Sequence, residues 1–475
     1  MSPSLASLLP LIILAGAMPF LLVILCFVRS HGLTFYVTLL ALAASLAALA
    51  TVTPLGAPKV GILFVFDGLF FFYGGLLLAG SLAVVVLSHE YLSGRPGDVE
   101  EYYVLLLGAM LGALVLVASR HFASFFLGLE LLSISLYPLI AYRRSAPHHA
   151  EAGLKYLILS GVASAFLLFG MALIYGVTGT MDFASIGARL MGLMSGRPMV
   201  LAGTVFITVG IGFKIGLVPF HMWAPDVYEG SPAPVAAFIA TISKGSMIGL
   251  LLRYFSHVSL SGHPGLFAIF AIMAIASMFA GNLLALFQNS IKRLLAYSSI
   301  AHFGYLLVAF LSTGPLKVFA ITYYLVAYVA TTLGAFGVVT LLSGKEHDAD
   351  GMDAYEGMGR RSPWLGGMLA FMLLSLAGMP LTAGFIAKFY VVAAGIGSAL
   401  WALVAVLIVN SAIGLFYYLR VIAVLYRPPF AEAPPCPSCG IKARVVMIVL
   451  LALVVWWGIY PSHLVTLIQA TRIGQ

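Results

Sequence analysis

Lys214 and Lys244 lie deep inside apolar runs of a 475-residue chain, at the two ends of GFKIGLVPFHMWAPDVYEGSPAPVAAFIATISK, residues 212–244. Between them come Pro219, Pro225, Pro232 and Pro234, the imidazole of His221, and the acids Asp226 and Glu229. A lysine at the centre of a bilayer costs about 2.5–3.5 kcal/mol on insertion scales. Two of them beside a proline-broken helix need a purpose, and the chemistry that suits them is proton transfer across a membrane. Burial favours the neutral amine and a nearby carboxylate favours the charged one. A lysine held between those influences switches when the carboxylate moves or its hydration changes. One charge crossing the membrane is worth about 2.3 kcal/mol per 100 mV, the size of a protonation shift of one to two pH units.

Other ionisable groups fall in apolar runs, each with a plainer reading beside the proton-transfer one. Glu130 sits midway along the fifth run and is the obvious carboxylate, or else an interhelical tether for a lysine. Lys155 comes about two turns into the sixth run if Pro147 opens that helix, and its long stem could instead snorkel to the interface. Lys388 follows a proline break in the twelfth run, where an ammonium could simply satisfy carbonyls. His221 and His302 lie near the ends of their runs and could be packing residues. Asp67 begins the third run and suits a capping or solvated role. For Lys214 and Lys244, central placement leaves snorkelling little scope.

The elements that must position these groups follow from composition. The chain is 62% hydrophobic and 8% charged, against about 25% charged in soluble domains. It is an integral membrane protein with no room for a soluble catalytic domain. The net charge of +8 belongs to membrane topology rather than to nucleic acid, since excess Lys and Arg gather in cytoplasmic loops. The first apolar run, 8–28, lacks a basic leader and is long enough to span, so no cleavable signal is expected. Cys26 reads as a packing residue. Cys436 and Cys439 form CPSC, two ligands where structural zinc wants four, and are expected to be inert and reduced.

About fourteen spans are expected, at 7–28, 33–53, 62–88, 102–119, 121–141, 149–177, 200–219, 232–256, 264–287, 293–313, 316–342, 363–393, 400–426 and 443–468. Loops after odd-numbered spans hold 13 Lys and Arg, including Arg144, and those on the other side hold 7, including Arg197 and Arg472. That bias places both termini on the non-cytoplasmic side. Spans seven and twelve are broken, around Pro219 and Pro380. Interrupted helices at matching positions of two halves mark the transport site of repeat-built transporters. The expected architecture is therefore all-α and polytopic, with three N-terminal helices in 1–100, five-helix repeats in 101–260 and 261–430, and a last helix in 431–475. Gly395-Ile-Gly397 lacks the third glycine of a dinucleotide fingerprint, and His89-Glu90 has no second histidine at zinc-protease spacing. No P-loop or iron–sulfur cysteine set is present, so no cofactor or metal is expected in this chain.

The central stretch, with NSIKRLLAYSSIAHFGYLL (289–307), GMPLTAGFIAKFYV (378–391) and EYYVLLLGAMLGALVLVASRHFASFFLGLELLSISLYPLIAYRR (101–144), resembles the subunit N family of bacterial NADH-quinone oxidoreductase, respiratory complex I. The resemblance covers nearly the whole chain and implies an antiporter-like fold of fourteen helices with helices seven and twelve broken. It assigns Glu130, Lys155, Lys214, His221, Lys244 and Lys388 to the family's buried charges. Lys388 stands where the related subunit M type has a glutamate, and the chain lacks the lateral helix of the longer subunit L type. The family implies proton uptake near Lys214 and Lys244, lateral passage toward Lys388, and a switchable Glu130–Lys155 ion pair facing the neighbouring subunit. It implies M-type and small J- and K-type membrane subunits as partners in a bacterial inner membrane, with lipid and protons and no nucleic acid. The redox centres would lie in other subunits. Two other function classes remain open at this point: a cation/proton antiporter of the Mrp kind, and a structural spacer that transmits motion without carrying protons.

Overall fold

A bilayer core offers the backbone no hydrogen-bond partners, so apolar runs of this length must satisfy their own amides as helices. The computed structural model describes residues 6–52, 59–95, 97–143, 147–190, 198–258, 264–345, 347–428 and 439–470. Among them thirteen helices are long and apolar enough to span. We label these and the shorter pieces that complete them in chain order. They are α1 (Leu9–Phe27), α2 (His31–Val52), α3 (Gly68–Leu92), α4 (Glu101–Ala118), α5 (Phe122–Ile140), α6 (His148–Thr178), α7 (Pro198–Ile215), α8 (Trp223–Gly230), α9 (Ala233–His257), α10 (Pro264–Leu286), α11 (Ile291–Leu311) and α12 (Leu316–Leu342). Then follow α13 (Pro363–Ala377), α14 (Ala383–Gly397), α15 (Trp401–Leu425), α16 (Ile441–Ile459) and α17 (Ser462–Ala470). Helices α13 and α14 together make a fourteenth crossing, and α8 continues α7 beyond its break. The chain is a multi-pass membrane protein of fourteen crossings, as its sequence indicates.

Side-chain caps set several of the helix starts. Asp67 accepts from the Phe70 N–H at 3.0 Å, His121 from the Ala123 N–H at 3.1 Å and Ser290 from the Arg293 N–H at 3.0 Å. Each satisfies an amide that the first turn leaves open. Asp67 has the capping role expected of it, and also holds both outer guanidinium nitrogens of Arg253, at 2.7 and 2.8 Å. Side by side in the bundle, α4 packs on α5 and α10 packs on α11. Both contacts rest on glycine. A Cβ on Gly112 would lie 2.5 Å from the Leu132 nitrogen, and one on Gly281 would lie 2.6 Å from the Ala301 nitrogen. Backbones approach that closely in membranes only where a small residue permits it.

Burial grades from rim to centre. The most apolar windows of α9 and α11 are 100% buried and that of α12 is 94% buried, whereas those of α1 and α16 are 28% buried. The helices carrying Lys244 and His302 are thus the innermost, shielded from lipid by the others. Three expectations need correction. The last run is not one helix, because Pro461, lacking an amide proton, separates α16 from α17. Cys26 is exposed on the outer surface rather than packed inside, as a residue of a rim helix can be. A short helix, Phe183–Leu190, lies between the sixth and seventh expected spans. Of the two-residue strands at Lys59–Val60 and Phe64–Val65, the second occupies the start of the expected span 62–88, whose helix begins only at Gly68. Cys436, Arg144, Arg197 and Arg472 lie outside the described residues.

On one face, the loop between α12 and α13 folds back and plants Asp348 among cations. Its carboxylate accepts from the Tyr91 hydroxyl at 2.6 Å and from Lys292 Nζ at 3.0 Å, with Arg143 at 3.4 Å and Arg95 at 3.9 Å. These partners come from α3, α11 and the loops after α3 and α5, so one carboxylate ties both halves of the bundle together. Burial works to raise the Asp348 pKa, but Lys292, Tyr91 and Arg95 outweigh it and hold the group below its ordinary value. A carboxylate depressed in the folded state contributes stability above its unfolded pKa and loses that contribution as pH falls through the folded one. Melting in detergent should therefore drop more steeply below about pH 4 in the native chain than in Asp348→Asn. The variant should already melt lower at neutral pH, because removing one partner leaves buried cations uncompensated.

Candidate functional site

The two broken helices end in the same way. At the end of α7 the Gly216 N–H donates to the Gly212 and Phe213 carbonyls at 2.9 and 3.0 Å, and the Leu217 N–H reaches Gly212 O at 2.8 Å. At the end of α13 the Gly378 N–H donates to Leu374 and Ser375 O at 3.1 and 3.0 Å, and the Met379 N–H to Leu374 O at 3.0 Å. Both glycines are left-handed, with φ of 80° and 87°, and a proline follows each. This is the glycine cap that closes a helix and satisfies its last carbonyls, placed between the two pieces of a broken crossing.

Each cap is covered by a lysine from elsewhere. A Cβ on Gly216 would meet Lys244 Nζ at 3.3 Å, and one on Gly378 would meet Lys388 Nζ at 3.2 Å and its Cδ at 2.8 Å. Lys388 donates to the Ala377 carbonyl at 2.7 Å and to Ser411 Oγ at 2.8 Å, so part of its role is to satisfy a helix end, as the plainer reading of it held. Lys244 follows a five-residue π-helical turn, Ile239–Ser243, a local widening that recurs at functional positions. Its Nζ donates to Ser299 Oγ at 2.8 Å, and the Tyr328 hydroxyl donates to the same oxygen at 2.9 Å.

Lys214, on the last turn of α7, donates to Ser133 Oγ and Ser160 Oγ, both at 2.6 Å. Ser133 lies one turn beyond Glu130 on α5. Ser160 lies one turn before Ser164 on α6, and Ser164 donates to Glu130 Oε1 at 2.5 Å. Glu130 therefore faces Lys214 across a layer of serine hydroxyls. Among the described residues, none of Lys214, Lys244 and Lys388 appears in an ion pair, whereas Lys155, Arg253, Lys292 and Arg293 all do.

The groups join into a file. Lys214 lies 5.6 Å from the Tyr156 ring, which packs on Trp223 at 5.0 Å, and Lys244 lies 5.9 Å from Trp223 on the other side. Beyond Lys244, Phe303 is 5.1 Å away and His302 is its neighbour in sequence. His302 contacts the Tyr324 hydroxyl through Nδ1 at 2.6 Å and the Tyr418 hydroxyl through Nε2 at 3.2 Å. Its ring is 5.5 Å from that of Tyr305, over which Lys388 Nζ sits at 5.3 Å. A cavity of about 10 Å³, room for one water, adjoins His302, Tyr324, Tyr328 and Ser375. A far larger polar cavity of about 510 Å³ opens on the face of Asp348, lined among others by Glu151, Lys155, Asp226, Glu229, Lys292 and Arg293.

The structure thus brings Glu130, Lys214, Lys244, His302 and Lys388 into one series, with Lys214, Lys244 and His302 buried and Glu130 and Lys388 half-buried, and leaves two expected members outside it. Lys155 does not pair with Glu130. Its Nζ bridges Glu151 at 2.7 Å and Asp226 at 2.9 Å in the large cavity, with 43% of the side chain exposed, because its stem is long enough to reach water from that turn of α6. His221 is buried in the break between α7 and α8, 7% exposed, and its ring bonds to no side chain among the described residues. His302, by contrast, is midway along α11 rather than near an end. The sequence reading missed the serines and tyrosines that receive the lysines, since hydroxyls within apolar helices carry no distinct pattern. It also missed Gly216 and Gly378, which a glycine one to three residues before the proline at each break could have signalled.

Alanine at Gly378 must accept a left-handed backbone, at about 1–2 kcal/mol, and displace the stem of Lys388. Gly378→Ala should therefore lower the melting temperature in detergent. Gly367, around whose added Cβ there is open space, should tolerate the same change.

Comparison with known proteins places this geometry in a family. The profile described as NADH:quinone oxidoreductase/Mrp antiporter, TM, matches residues 119–414. A relative named NADH-quinone oxidoreductase subunit N, from Ectopseudomonas mendocina (strain ymp), is 45% identical over 98% of this chain and 96% of its own. Among solved structures, a chain of respiratory complex I from Thermus thermophilus with bound aureothin matches at 34% identity and a TM-score of 0.83, over 96% of this chain and 98% of that one. A chain of the Mrp complex from Dietzia sp. DQ12-45-1b shares the fold, with a TM-score of 0.87 at 20% identity over 99% and 97% of the two chains. The chain belongs to the subunit N family of NADH-quinone oxidoreductase, within the wider NADH:quinone oxidoreductase/Mrp antiporter membrane family.

Proposed function

We propose that this chain carries protons across a bacterial inner membrane as one membrane subunit of a complex I-type NADH:quinone oxidoreductase. The redox chemistry belongs to other subunits, and the neighbours are M-type and small J- and K-type membrane subunits. Protons are taken up through the large cavity on the face of Asp348, which the loop-charge bias makes cytoplasmic. They pass by Lys214, Lys244 and His302 to Lys388, with Glu130 setting the protonation state of Lys214 through the serine layer. His221, beside the break, and Lys155, at the mouth, serve uptake rather than the file. The segments 101–260 and 261–430 act as two repeats, one around each glycine-capped break.

The observation that supports this reading best is the choice of partner for each central lysine. Lys214, Lys244 and Lys388 all bond to serine hydroxyls. A hydroxyl accepts from an ammonium and donates to a neutral amine equally well. A carboxylate partner would fix the charge, whereas a hydroxyl lets it come and go. A structural spacer has no use for three such amines in oil.

Removing a relay group slows a proton-transfer step by about 10²-fold or more. Lys214→Ala should therefore cut quinone-coupled proton pumping by the purified complex in liposomes while the complex still assembles. Equal pumping by variant and native complex would take Lys214 out of the mechanism.

A further inference from the structure

A relay that delivers protons to Lys388 also has to keep them from slipping back to the face they came from. Lys388 donates to Ser411 and sits against Tyr305, and from there a buried polar cluster leads toward the face of Asp348. Tyr305 meets Asn282 on α10. The Asn282 amide nitrogen donates to the Tyr305 hydroxyl at 2.8 Å and to the Met278 carbonyl at 2.8 Å, while Asn282 Oδ1 accepts from the Tyr417 hydroxyl at 3.1 Å. Asn410, next to Ser411, turns its own amide nitrogen to the Val406 carbonyl at 3.0 Å and its Oδ1 toward Asn282 at 3.4 Å. Both asparagines are fully buried.

Two features of this cluster are chemical rather than steric. A backbone carbonyl can only accept, so Met278 O and Val406 O fix which atom of each amide is nitrogen. Tyr417 must then donate to Asn282 and Tyr305 must accept from it. An amide so held can neither take up a proton at one end nor release one at the other without becoming an imidic acid. One turn nearer the face, Arg420 donates to the Leu286 carbonyl at 2.7 Å and to the Gln288 carbonyl at the end of α10. A fixed guanidinium in a pore lining is a barrier to protons and cations.

We infer that Asn282, held against Asn410, Tyr305 and Tyr417 and backed by Arg420, is a proton seal that blocks back-leak from Lys388 to the face bearing Asp348. This rests on Lys388 lying on the proton path. The cluster is thus a positioning and insulating element, and a carboxyl or hydroxyl at position 282 would turn it into a conductor.

The test uses the purified complex in potassium-loaded liposomes with valinomycin, without redox substrate, and reads passive proton influx with a pH dye. Asn282→Asp should raise the influx by about tenfold, equivalent to about 1.4 kcal/mol off the barrier. Asn282→Ser, which buries no charge and so keeps the measurement open if the aspartate variant fails to assemble, should raise it in the same direction. Adding Lys388→Met to either variant should return the influx to the native level. No rise in either variant, or a rise that survives Lys388→Met, would overturn the seal. Turnover-driven pumping by Lys388→Met alone reads the underlying path separately: full pumping there would remove the path itself, whatever the leak assay gives.

Discussion

Everything in this chain answers to the difficulty of keeping amines in oil without neutralising them permanently. The bundle spends its innermost helices on this. Lys244 and His302 sit on α9 and α11, the two helices that are buried throughout their apolar windows. The hydroxyls around them come mainly from α11 and from α12, the next most buried. Cations near the ends of helices meet carboxylates, as in the pairing of Arg253 with Asp67 and of Lys292 with Asp348. The central lysines meet serines instead. The contrast follows from energetics: a buried ion pair can offset its desolvation only with good geometry, and breaking it is then costly. In the proposed function these lysines change charge at every cycle, and a group that does so cannot be held that way.

The same constraint explains why two crossings are broken. An unbroken helix keeps every mid-membrane carbonyl inside its own ladder and offers nothing to an incoming amine. Ending α7 and α13 at a left-handed glycine satisfies some of the last carbonyls, leaves others open and adds no side chain of its own. Lys388 uses one of those carbonyls directly, at Ala377, and Lys244 lies over the bare face of Gly216. The π turn before Lys244 does related work within a continuous helix, loosening the ladder where the amine emerges.

Most of the architecture is legible in the sequence because the signals are strong and local. Apolar runs of spanning length set the crossings to within a few residues, and Pro219 and Pro380 mark the two breaks. Lys214, Lys244 and Lys388 announce themselves by their cost. What the sequence does not show is which partner each charge finds across the bundle. Glu130 and Lys155 lie on neighbouring helices, and nothing in their spacing says that one turns inward to Ser164 while the other reaches out to Asp226. Serines at 133, 160 and 299 look like any small residue that lets helices pack. Asn282 and Asn410 are separated by 128 positions, and only folding reveals that they meet. His302, read as near an end of its run, is central because α11, Ile291–Leu311, extends about as far on one side of it as on the other.

If the central amines are joined by groups able to pass a proton, ordered water must complete the joins. A map of the intact complex, detailed enough to show ordered water, tests it most directly. Waters should complete hydrogen-bonded links from the large cavity to Lys214, between Lys214 and Lys244, and from His302 to Lys388, with each Nζ bonded to hydroxyl, carbonyl or water. Dry apolar packing in those intervals, or a carboxylate clamped on each of the three lysines, would contradict it.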